Sequence, residues 1–431
     1  MSPQYTTMLD TLRQRYVATH PRSRVAIEAA AAWMPGGNTR TVLHYDPFPL
    51  VITGGVGAHV TDLDGFEYLD CVGEFSAGLY GHSEPVIREA LVEALAGGLT
   101  LGGPNIKEAR LAEAICSRFP SVQRVRFCNS GTEANLLALV TARAVTNRDK
   151  VIVFDGAYHG GVMSFAGGGS PVNAPFAWTV LPYNDSQAVR EFMEQRGSEV
   201  AAIIVEPILG ASGNIPGTDE FLLTLRAEAT RSGAVLIFDE VKTSRCGPGG
   251  VQGLRGTSPD LTTFGKYLGG GLPLGAFGGR ADIMDRFDPR RPDALKHAGT
   301  FNNNVLSMAA GLAGLTSVYT AARAATFHQE TEASKDEFIL RLQETGMPIQ
   351  VTGHGSMFSL HYGRGIPQRA ADVTDGTHRL RRLVHLHCIE SGLLLTGRGD
   401  IFLNLAMQKE DRERLSLGLL AAIRSALPVL A

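Results

Sequence analysis

Lys266 stands at the end of a short apolar run and directly before a glycine-rich turn, in the segment Thr-Thr-Phe-Gly-Lys-Tyr-Leu-Gly-Gly-Gly of residues 262–271. Apolar and aromatic neighbours remove water from a lysine, which disfavours its charged form and lowers the pKa of its amine. A neutral amine can attack an aldehyde, and glycines let the backbone pass close to a flat bound molecule. The segment therefore indicates a lysine that forms a Schiff base. A structural lysine whose stem covers apolar surface beside a glycine turn would show the same pattern.

Polar residues follow three apolar runs that are rich in valine and isoleucine. Tyr158 comes after residues 151–154, Glu206 after residues 201–205 and Asp239 after residues 235–238. Open α/β sheets bind ligands at the carboxyl ends of their strands, and a buried carboxylate needs a partner. We therefore expect Asp239 to meet a bound cation, such as a protonated pyridine nitrogen, and Tyr158 to stack on a ring. Taken singly, a capping or salt-bridged aspartate fits its position equally well, and a lone tyrosine more often serves in packing.

Ser130, Gly131, Thr132 and Glu133 follow a short strand and begin a helix. Serine three residues before glutamate is a capping box. A helix N-terminus also binds phosphate, because its free N–H groups and its dipole point at the anion. Gly131 permits close approach, and the hydroxyls of Ser130 and Thr132 can donate further hydrogen bonds. The pattern fits a simple helix cap or a phosphate site.

Two arginines stand in small-residue turns near opposite ends of the chain, Arg40 and Arg398. Arginine holds a carboxylate through two parallel N–H···O bonds. Each residue is a candidate for binding a substrate carboxylate. A solvated surface charge is the alternative for each.

The elements that position these residues follow from the apolar patterns. Continuous apolar runs in the middle of the chain are typical of strands buried on both faces, and helical stretches separate them. The centre is therefore predicted to be an α/β sandwich with a mainly parallel sheet. Residues 1–34 are predicted to be helical and residues 50–70 to form a small antiparallel piece. We expect a large domain over residues 71–309, and one small domain from residues 1–70 and 310–431.

Composition excludes several classes of protein. The chain has 431 residues, of which 44% are apolar, and a net charge of −3 with both signs dispersed. It has no basic stripe, so neither nucleic acid nor an anionic membrane is expected as a partner. Five scattered cysteines without a CxxC pair indicate neither a disulfide framework nor a metal site. No secretory signal or apolar run of about 20 residues is found, so we expect a cytoplasmic location.

Six short motifs follow one another along the chain. They are residues 129–135 (Asn-Ser-Gly-Thr-Glu-Ala-Asn), 158–160 (Tyr-His-Gly), 206–207 (Glu-Pro), 238–241 (Phe-Asp-Glu-Val), 265–266 (Gly-Lys) and 299–301 (Gly-Thr-Phe). Their order and spacing resemble the class III (subgroup II) aminotransferases, which are pyridoxal phosphate enzymes of fold type I. The resemblance covers nearly the whole chain. It implies a large domain with a mainly parallel seven-stranded sheet flanked by helices, and a small α+β domain.

The resemblance also implies a role for each candidate residue. Lys266 would form the Schiff base with pyridoxal phosphate and carry the proton, and Asp239 would pair with the pyridinium nitrogen. The other cofactor contacts would come from Ser130, Gly131, Thr132, Tyr158, Glu206, Val241 and Thr300. Thr300 would reach the cofactor of a neighbouring subunit, so a homodimer is implied. Arg40 would bind the carboxylate of the amino donor, and Arg398 that of the keto acid.

Within this family, residues 36–42, 300–304 and 398–399 look like the β-phenylalanine (β-amino acid) aminotransferase branch. That branch implies transfer of an amino group from a β-amino acid to an α-keto acid such as 2-oxoglutarate or pyruvate. Glutamate-1-semialdehyde aminomutase is a relative, and intramolecular amino transfer is the alternative. Aminomutases typically have Ser-Gly-Asn where this chain has three asparagines at 302–304, which counts against that alternative.

Two further classes compete with these. A catalytically silent protein that binds pyridoxal phosphate is disfavoured by the presence of Lys266, Asp239 and the phosphate turn together. A nicotinamide-dependent oxidoreductase is disfavoured because no GxGxxG motif follows the first strand of a βαβ unit.

Overall fold

The computed structural model describes residues 2–430, which contain thirteen α-helices and sixteen β-strands. The helices are α1 (Pro3–Thr19), α2 (Pro21–Ala30), α3 (Pro85–Ala96), α4 (Ile106–Arg118), α5 (Gly131–Thr146), α6 (Ser186–Arg196), α7 (Asp219–Ser232), α8 (Gly250–Arg255), α9 (Ala281–Met284), α10 (Val305–Ala313), α11 (Ala321–Glu344), α12 (Asp375–Glu390) and α13 (Lys409–Ala426). The strands are β1 (Ile52–Val56), β2 (His59–Asp62), β3 (Glu67–Asp70), β4 (Arg124–Cys128), β5 (Lys150–Phe154), β6 (Ala177–Leu181), β7 (Val200–Val205), β8 (Ile208–Leu209), β9 (Ile215–Pro216), β10 (Val235–Asp239), β11 (Leu261–Gly265), β12 (Gly275–Gly279), β13 (Ile349–His354), β14 (Met357–Tyr362), β15 (Leu393–Leu394) and β16 (Asp400–Phe402).

Contacts within the chain group it into two compact units. Unit 1 consists of the chain up to Glu84, Glu330–Ile366 and the chain from Val373 onward. Unit 2 consists of Pro85–Gln329 and Pro367–Asp372. The domain bounds expected from the sequence, at residues 70/71 and 309/310, stay a prediction.

Unit 2 contains a seven-stranded sheet in the order β4-β12-β11-β10-β7-β5-β6. Strands β11, β10, β7, β5 and β6 run parallel to one another, while β12 is antiparallel to both of its neighbours, β4 and β11. The predicted mainly parallel seven-stranded sheet is confirmed. Its parallel strands all end at the same edge of the sheet, which is where open α/β sheets bind ligands.

The central strands are buried on both faces. Every residue of β7 and β10 is buried, as are all but the first of β5. Helix α5 packs against β11 and β12, and α7 packs against β7 and β10. This burial explains why the three strands lack the polar alternation of a half-exposed sheet.

Unit 1 contains two smaller sheets, β1-β2-β3-β15 and β13-β14-β16, together with α1, α2, α12 and α13. The predicted antiparallel piece at residues 50–70 corresponds to β1–β3. The helical stretch predicted over residues 1–34 is divided: α1 ends at Thr19 and α2 runs from Pro21 to Ala30. Proline has no N–H to continue a helix, but its fixed φ suits the first helical position, so Pro21 begins the second helix.

No single helix among residues 2–430 is long and apolar enough to cross a membrane. Val305–Val318 and Ala321–Glu344, which are bent by 70° relative to each other, reach the length and hydropathy of a membrane span only when taken together.

Candidate active site

The carboxylate of Asp239, the last residue of β10, is the centre of a buried hydrogen-bond network in unit 2. Its Oδ2 accepts bonds of 2.8 Å from Nδ2 of Asn135 and from Nδ1 of His159. Its Oδ1 accepts the backbone N–H of Val241 at 3.1 Å. Asp239 is 4% exposed, and His159 and Asn135 are each 1% exposed. A buried carboxylate needs hydrogen-bond donors in place of water, and this network supplies them to both oxygens of Asp239.

Glu206 occupies the equivalent position after β7. Its Oε2 accepts the backbone N–H of Tyr158 at 2.9 Å, and its Oε1 accepts that of Gly210 at 3.1 Å. Burial raises the pKa of Glu206; the electrostatic effect of His159 lowers it in part, and the charge of Asp239 raises it. Tyr158 itself is 48% exposed, so its ring lies at the surface of unit 2. The ends of β5, β7 and β10 are therefore joined through Tyr158, Glu206, His159 and Asp239.

The proposed phosphate turn lies at the start of α5. Oγ of Ser130 accepts the N–H of Glu133 at 3.2 Å, which caps the helix. The carboxylate of Glu133 accepts the N–H of Asn129 at 2.7 Å. In a standard capping box it would accept the N–H of the N-cap residue, Ser130, so this bond is shifted by one residue. A Cβ on Gly131 would lie 2.7 Å from Cγ1 of Val241, so only glycine fits between this helix start and the residue after Asp239.

A second glycine brings the turn after β5 against the same helix start. A Cβ added to Gly160 would lie 2.3 Å from Oγ1 of Thr132, and Gly160 has a φ of +128°. Thr132 is half-buried and Ser130 is exposed, so the N-terminus of this 16-residue helix is accessible to solvent. This arrangement can hold an anion.

Lys266 directly follows β11 and has a φ of +55°, which is unusual for a residue with a side chain. A Cβ on the preceding Gly265 would lie 3.3 Å from the backbone nitrogen of Gly131 and 3.3 Å from Cγ1 of Val241. The backbone before Lys266 therefore passes beside the phosphate turn and Val241. Lys266 is half-buried, and the lowered pKa expected for its amine stays a prediction.

Thr300 is exposed and lines a cavity of about 900 Å³ in unit 2. Residues 99–105 and 299–305 form most of its wall. Asn302 connects this wall to the phosphate turn, because its Oδ1 accepts a 3.0 Å bond from Nδ2 of Asn129.

Arg40 and Arg398 both belong to unit 1, and the structure brings them to the same aromatic ring. Cζ of Arg40 lies 5.2 Å from the ring centroid of Phe75, and Cζ of Arg398 lies 5.3 Å from it. Arg40 forms an ion pair with Glu74, and Nε of Arg398 donates to Oδ2 of Asp400 at 2.5 Å.

Sequence reasoning gave no role to Asn135, His159, Phe75 or Glu74. The first two lie inside the motifs at 129–135 and 158–160, so their positions were marked although their function as donors to Asp239 was not. Nothing in the local sequence distinguishes Phe75 as a neighbour of both arginines.

Comparison with known proteins identifies the family. The profile described as aminotransferase class-III matches residues 42–405. A β-phenylalanine transaminase from Variovorax paradoxus is 47% identical over 401 residues, which cover 93% of this chain and 92% of that protein. The crystal structure of a β-phenylalanine aminotransferase from Variovorax paradoxus matches with a TM-score of 0.96 and 45% identity, covering 98% of both chains. A glutamate-1-semialdehyde 2,1-aminomutase from Desulforapulum autotrophicum is 40% identical over 365 residues, covering 80% of this chain and 84% of that protein.

The chain therefore belongs to the class-III aminotransferase family. It is an aminotransferase of fold type I, its cofactor is pyridoxal phosphate, and its substrates are an amino donor and a keto acid.

The residues present fit that cofactor. Asp239 is a buried carboxylate whose side-chain donors are Asn135 and His159. A carboxylate in this position suits a protonated ring nitrogen as its partner. The N-terminus of α5, where Gly131 lies against Val241, suits a phosphate. Nε2 of His159 is buried and has no hydrogen-bond partner among residues 2–430. Buried polar atoms are normally paired, so this nitrogen is available to a bound group.

Proposed function

We propose that this aminotransferase moves the amino group of a β-phenylalanine-like β-amino acid to an α-keto acid such as 2-oxoglutarate or pyruvate. The observation that carries the proposal is 47% identity to a β-phenylalanine transaminase over 93% of the chain. The pair of arginines on Phe75 supports it, because donor and acceptor would each bring a carboxylate. Arg40 binds the carboxylate of the β-amino acid, and Arg398 that of the keto acid.

The proposed roles of the remaining residues follow from their chemistry. Pyridoxal phosphate, when bound, supplies an aldehyde that takes up the amino group and a protonated ring that draws electrons from the adjoining carbon. Asp239 holds the proton on the ring nitrogen. The N–H groups at the start of α5, with Ser130 and Thr132, hold the phosphate. Val241 and Tyr158 line the two faces of the ring, and Glu206 supports the side on which Asp239 lies.

Lys266 carries the proton in this proposal. Its Nζ removes the proton from the carbon that bears the donor's nitrogen, and a base fixed next to that carbon needs no diffusional encounter. The positive φ of Lys266 supports this role, since strained backbone conformations are concentrated at sites that must be held in one geometry.

The proposed enzyme is a homodimer in which Thr300 completes the site of the neighbouring subunit. Three large apolar side chains beside Thr300 support an interface, since Leu99, Leu101 and Phe301 are 44%, 57% and 59% exposed. Exposed apolar groups that occur together mark an interaction surface.

A second candidate is intramolecular amino transfer within a semialdehyde. The observation in its favour is 40% identity to a glutamate-1-semialdehyde 2,1-aminomutase over 365 residues. The lower identity and the three asparagines at 302–304 make it the weaker candidate.

The test is to add single amines to the holoenzyme and follow the cofactor absorbance. Both enantiomers of β-phenylalanine, α-phenylalanine and a terminal ω-amino acid are compared, each without a keto acid. The proposal predicts that one β-phenylalanine enantiomer converts the cofactor with a kcat/KM at least about tenfold above that of the other amines, a difference of about 1.4 kcal/mol. Adding 2-oxoglutarate or pyruvate should then restore the original spectrum.

Glutamate-1-semialdehyde without any keto acid separates the two candidates. Sustained turnover of that compound alone, with no response to β-phenylalanine, would replace the proposal with the aminomutase activity.

A further inference from the structure

Residues Gly73–Ser76 form a left-handed turn, with φ values of +49° at Gly73, +46° at Glu74, +53° at Phe75 and +81° at Ser76. Three of these residues carry a Cβ, which crowds the following carbonyl oxygen in this conformation. Such a run persists only where the surrounding structure holds it, and strain of this kind is concentrated at active sites and ligand clamps. The left-handed turn therefore points to a function for the side chains it presents.

Hydrogen bonds at both ends hold the left-handed turn. Oδ1 of Asp70 accepts the N–H of Val72 at 2.8 Å and that of Gly73 at 3.1 Å, while Oδ2 lies 2.9 Å from Nε2 of His82. The N–H of Gly78 donates to the carbonyl of Gly73 at 2.8 Å. Asp70 is 4% exposed, so a buried carboxylate fixes the point where the turn begins.

The left-handed turn presents the ring of Phe75 to both candidate carboxylate-binding residues. The ring centroid lies 5.2 Å from Cζ of Arg40 and 5.3 Å from Cζ of Arg398, within the range of a cation–π interaction. Phe75 is 9% exposed, whereas both arginine side chains are 37% exposed. A buried ring thus supports two partly exposed guanidinium groups.

The two guanidinium groups are otherwise held differently. Nε of Arg398 donates to Asp400, whose side chain is 1% exposed, so this partner is shielded from solvent. Arg40 pairs with Glu74, whose side chain is 59% exposed and can exchange with solvent or with another carboxylate. The Phe75 ring is common to both, and a planar guanidinium donates two parallel bonds only to a carboxylate that lies in its plane, at its edge.

We propose that Phe75 is a positioning residue for carboxylate recognition. Its ring sets the planes of the Arg40 and Arg398 guanidinium groups, and the left-handed turn places the ring between them. This inference rests on the proposed assignment of the two arginines to the substrate carboxylates. It extends that assignment by naming the residue that makes the enzyme select amines that carry a carboxylate.

The test compares substrates with and without a carboxylate in the Phe75→Leu holoenzyme. β-Phenylalanine and 2-oxoglutarate carry the group, and 1-phenylethylamine is β-phenylalanine without it. We expect KM for both carboxylate substrates to rise about tenfold, as loss of a cation–π contact allows. The value of kcat should stay within about threefold, and kcat/KM for 1-phenylethylamine should be unchanged. Phe75→Tyr, which keeps a ring, should restore both KM values.

Phe338→Leu is the matched control, because Phe338 is a buried phenylalanine of unit 1 whose ring packs on Phe358. It should lower the unfolding temperature without a selective rise in KM for the carboxylate substrates. If Phe75→Leu instead reduces turnover of 1-phenylethylamine as much as that of β-phenylalanine, Phe75 only packs and the inference is wrong.

Arg40→Ala and Arg398→Ala separate the inference from the proposal on which it rests. If neither variant changes KM for any carboxylate substrate, the assignment of the arginines fails. If both change KM and Phe75→Leu does not, only the inference fails.

A fluorinated series keeps the test decisive even if Phe75→Leu does not fold. Replacing Phe75 by 4-fluoro-, 3,5-difluoro- and 3,4,5-trifluorophenylalanine keeps the shape of the ring while reducing the negative potential of its face. KM for β-phenylalanine should rise with each fluorine. A KM that does not change across the series would overturn the proposal.

Discussion

Asp239 and Glu240 are adjacent buried carboxylates with different surroundings. Glu240 accepts the N–H groups of Val251 and Gln252 at 2.8 and 2.9 Å, at the start of α8, and burial raises its pKa. Asp239 accepts side-chain donors from α5 and from the turn after β5. Glu240 therefore stabilises the path of the chain, while Asp239 remains the candidate for the cofactor ring.

Asp239→Asn should retain folding but lose activity. The amide replaces one acceptor oxygen by an NH₂ donor, which then faces another donor: Val241 N–H on one side, or Asn135 and His159 on the other. The negative charge opposite the ring nitrogen is also lost. We expect kcat for β-phenylalanine to fall on the order of 100-fold or more, a typical cost for losing one preorganised electrostatic contact.

Glu240→Gln is the control for this experiment. It should lower the unfolding temperature while kcat stays within about threefold, since the effect of a lost structural hydrogen bond is on stability. Equal losses of kcat in the two variants would show that the site depends on packing there and not on the charge of Asp239.

The local sequence marked the candidate site residues at strand ends but not their hydrogen-bond partners. Apolar runs of valine and isoleucine gave β5, β7 and β10, and hence the edge where Asp239 lies. Asn135 and His159 reach Asp239 only because α5 and the turn after β5 pack there, and no local pattern encodes that packing. The left-handed turn at residues 73–76 was equally invisible, because Glu, Phe and Ser do not favour positive φ.

Strand β12 shows why one element of the sheet was not predicted. Its sequence, Gly-Ala-Phe-Gly-Gly, has the glycine content of a loop, and glycine weakens a strand. In the sheet, a Cβ on Gly275 would lie 2.1 Å from the carbonyl oxygen of Ser130, and one on Gly279 would lie 2.1 Å from that of Asp260. Close backbone approach requires these glycines, so tertiary packing overrides the local preference.

Helix α11 is tied to the β13–β14 hairpin by one carboxylate. Oε1 of Glu332 lies 2.6 Å from Nδ1 of His354 and accepts the N–H of Gly355 at 2.6 Å, and its other oxygen pairs with Lys335. Burial alone would raise the pKa of Glu332, but the bonds from His354 and Lys335 outweigh it and lower the pKa to about 2.

Glu332→Gln should lower the free energy of unfolding by up to about 3 kcal/mol at pH 6, as follows from a pKa lowered from its ordinary value to about 2. A carboxylate with a lowered pKa stabilises the fold above its unfolded pKa. The difference between wild type and variant should therefore be constant down to about pH 4.5 and shrink as the pH falls towards 2. Denaturant unfolding at several pH values measures it.

Glu337→Gln on the same helix is the control, since its side chain is 62% exposed and its pair with Arg341 should contribute less than about 1 kcal/mol. A difference for Glu332→Gln that does not change with pH would contradict the assigned role of the charge.

At the scale of the whole molecule, the proposed homodimer depends on Thr300 and the exposed apolar side chains near it. If Thr300 completes the neighbouring subunit's site, two inactive variants should complement each other. In a mixed dimer of Lys266→Ala and Thr300→Ala subunits, one site has Lys266 from one chain and Thr300 from the other, and the second site lacks both. Because random pairing makes about half of the dimers mixed, coexpression should restore about a quarter of wild-type activity.

The purified single variants are the controls for complementation. Coexpressed protein that is no more active than the average of the two separate variants would place Thr300 in its own subunit's site or outside any site.

Reduction of the holoenzyme with borohydride, followed by peptide mass mapping, tests the central claim most directly, because it fixes the cofactor to whichever amine it is bonded to. The account predicts a pyridoxyl group on Nζ of Lys266. Lys242 is an internal comparison, since it is a second lysine of unit 2, 7% exposed, and donates to Oδ1 of Asn214 at 2.6 Å. A pyridoxyl group on Lys242, or on no lysine of protein loaded with cofactor, would contradict the account.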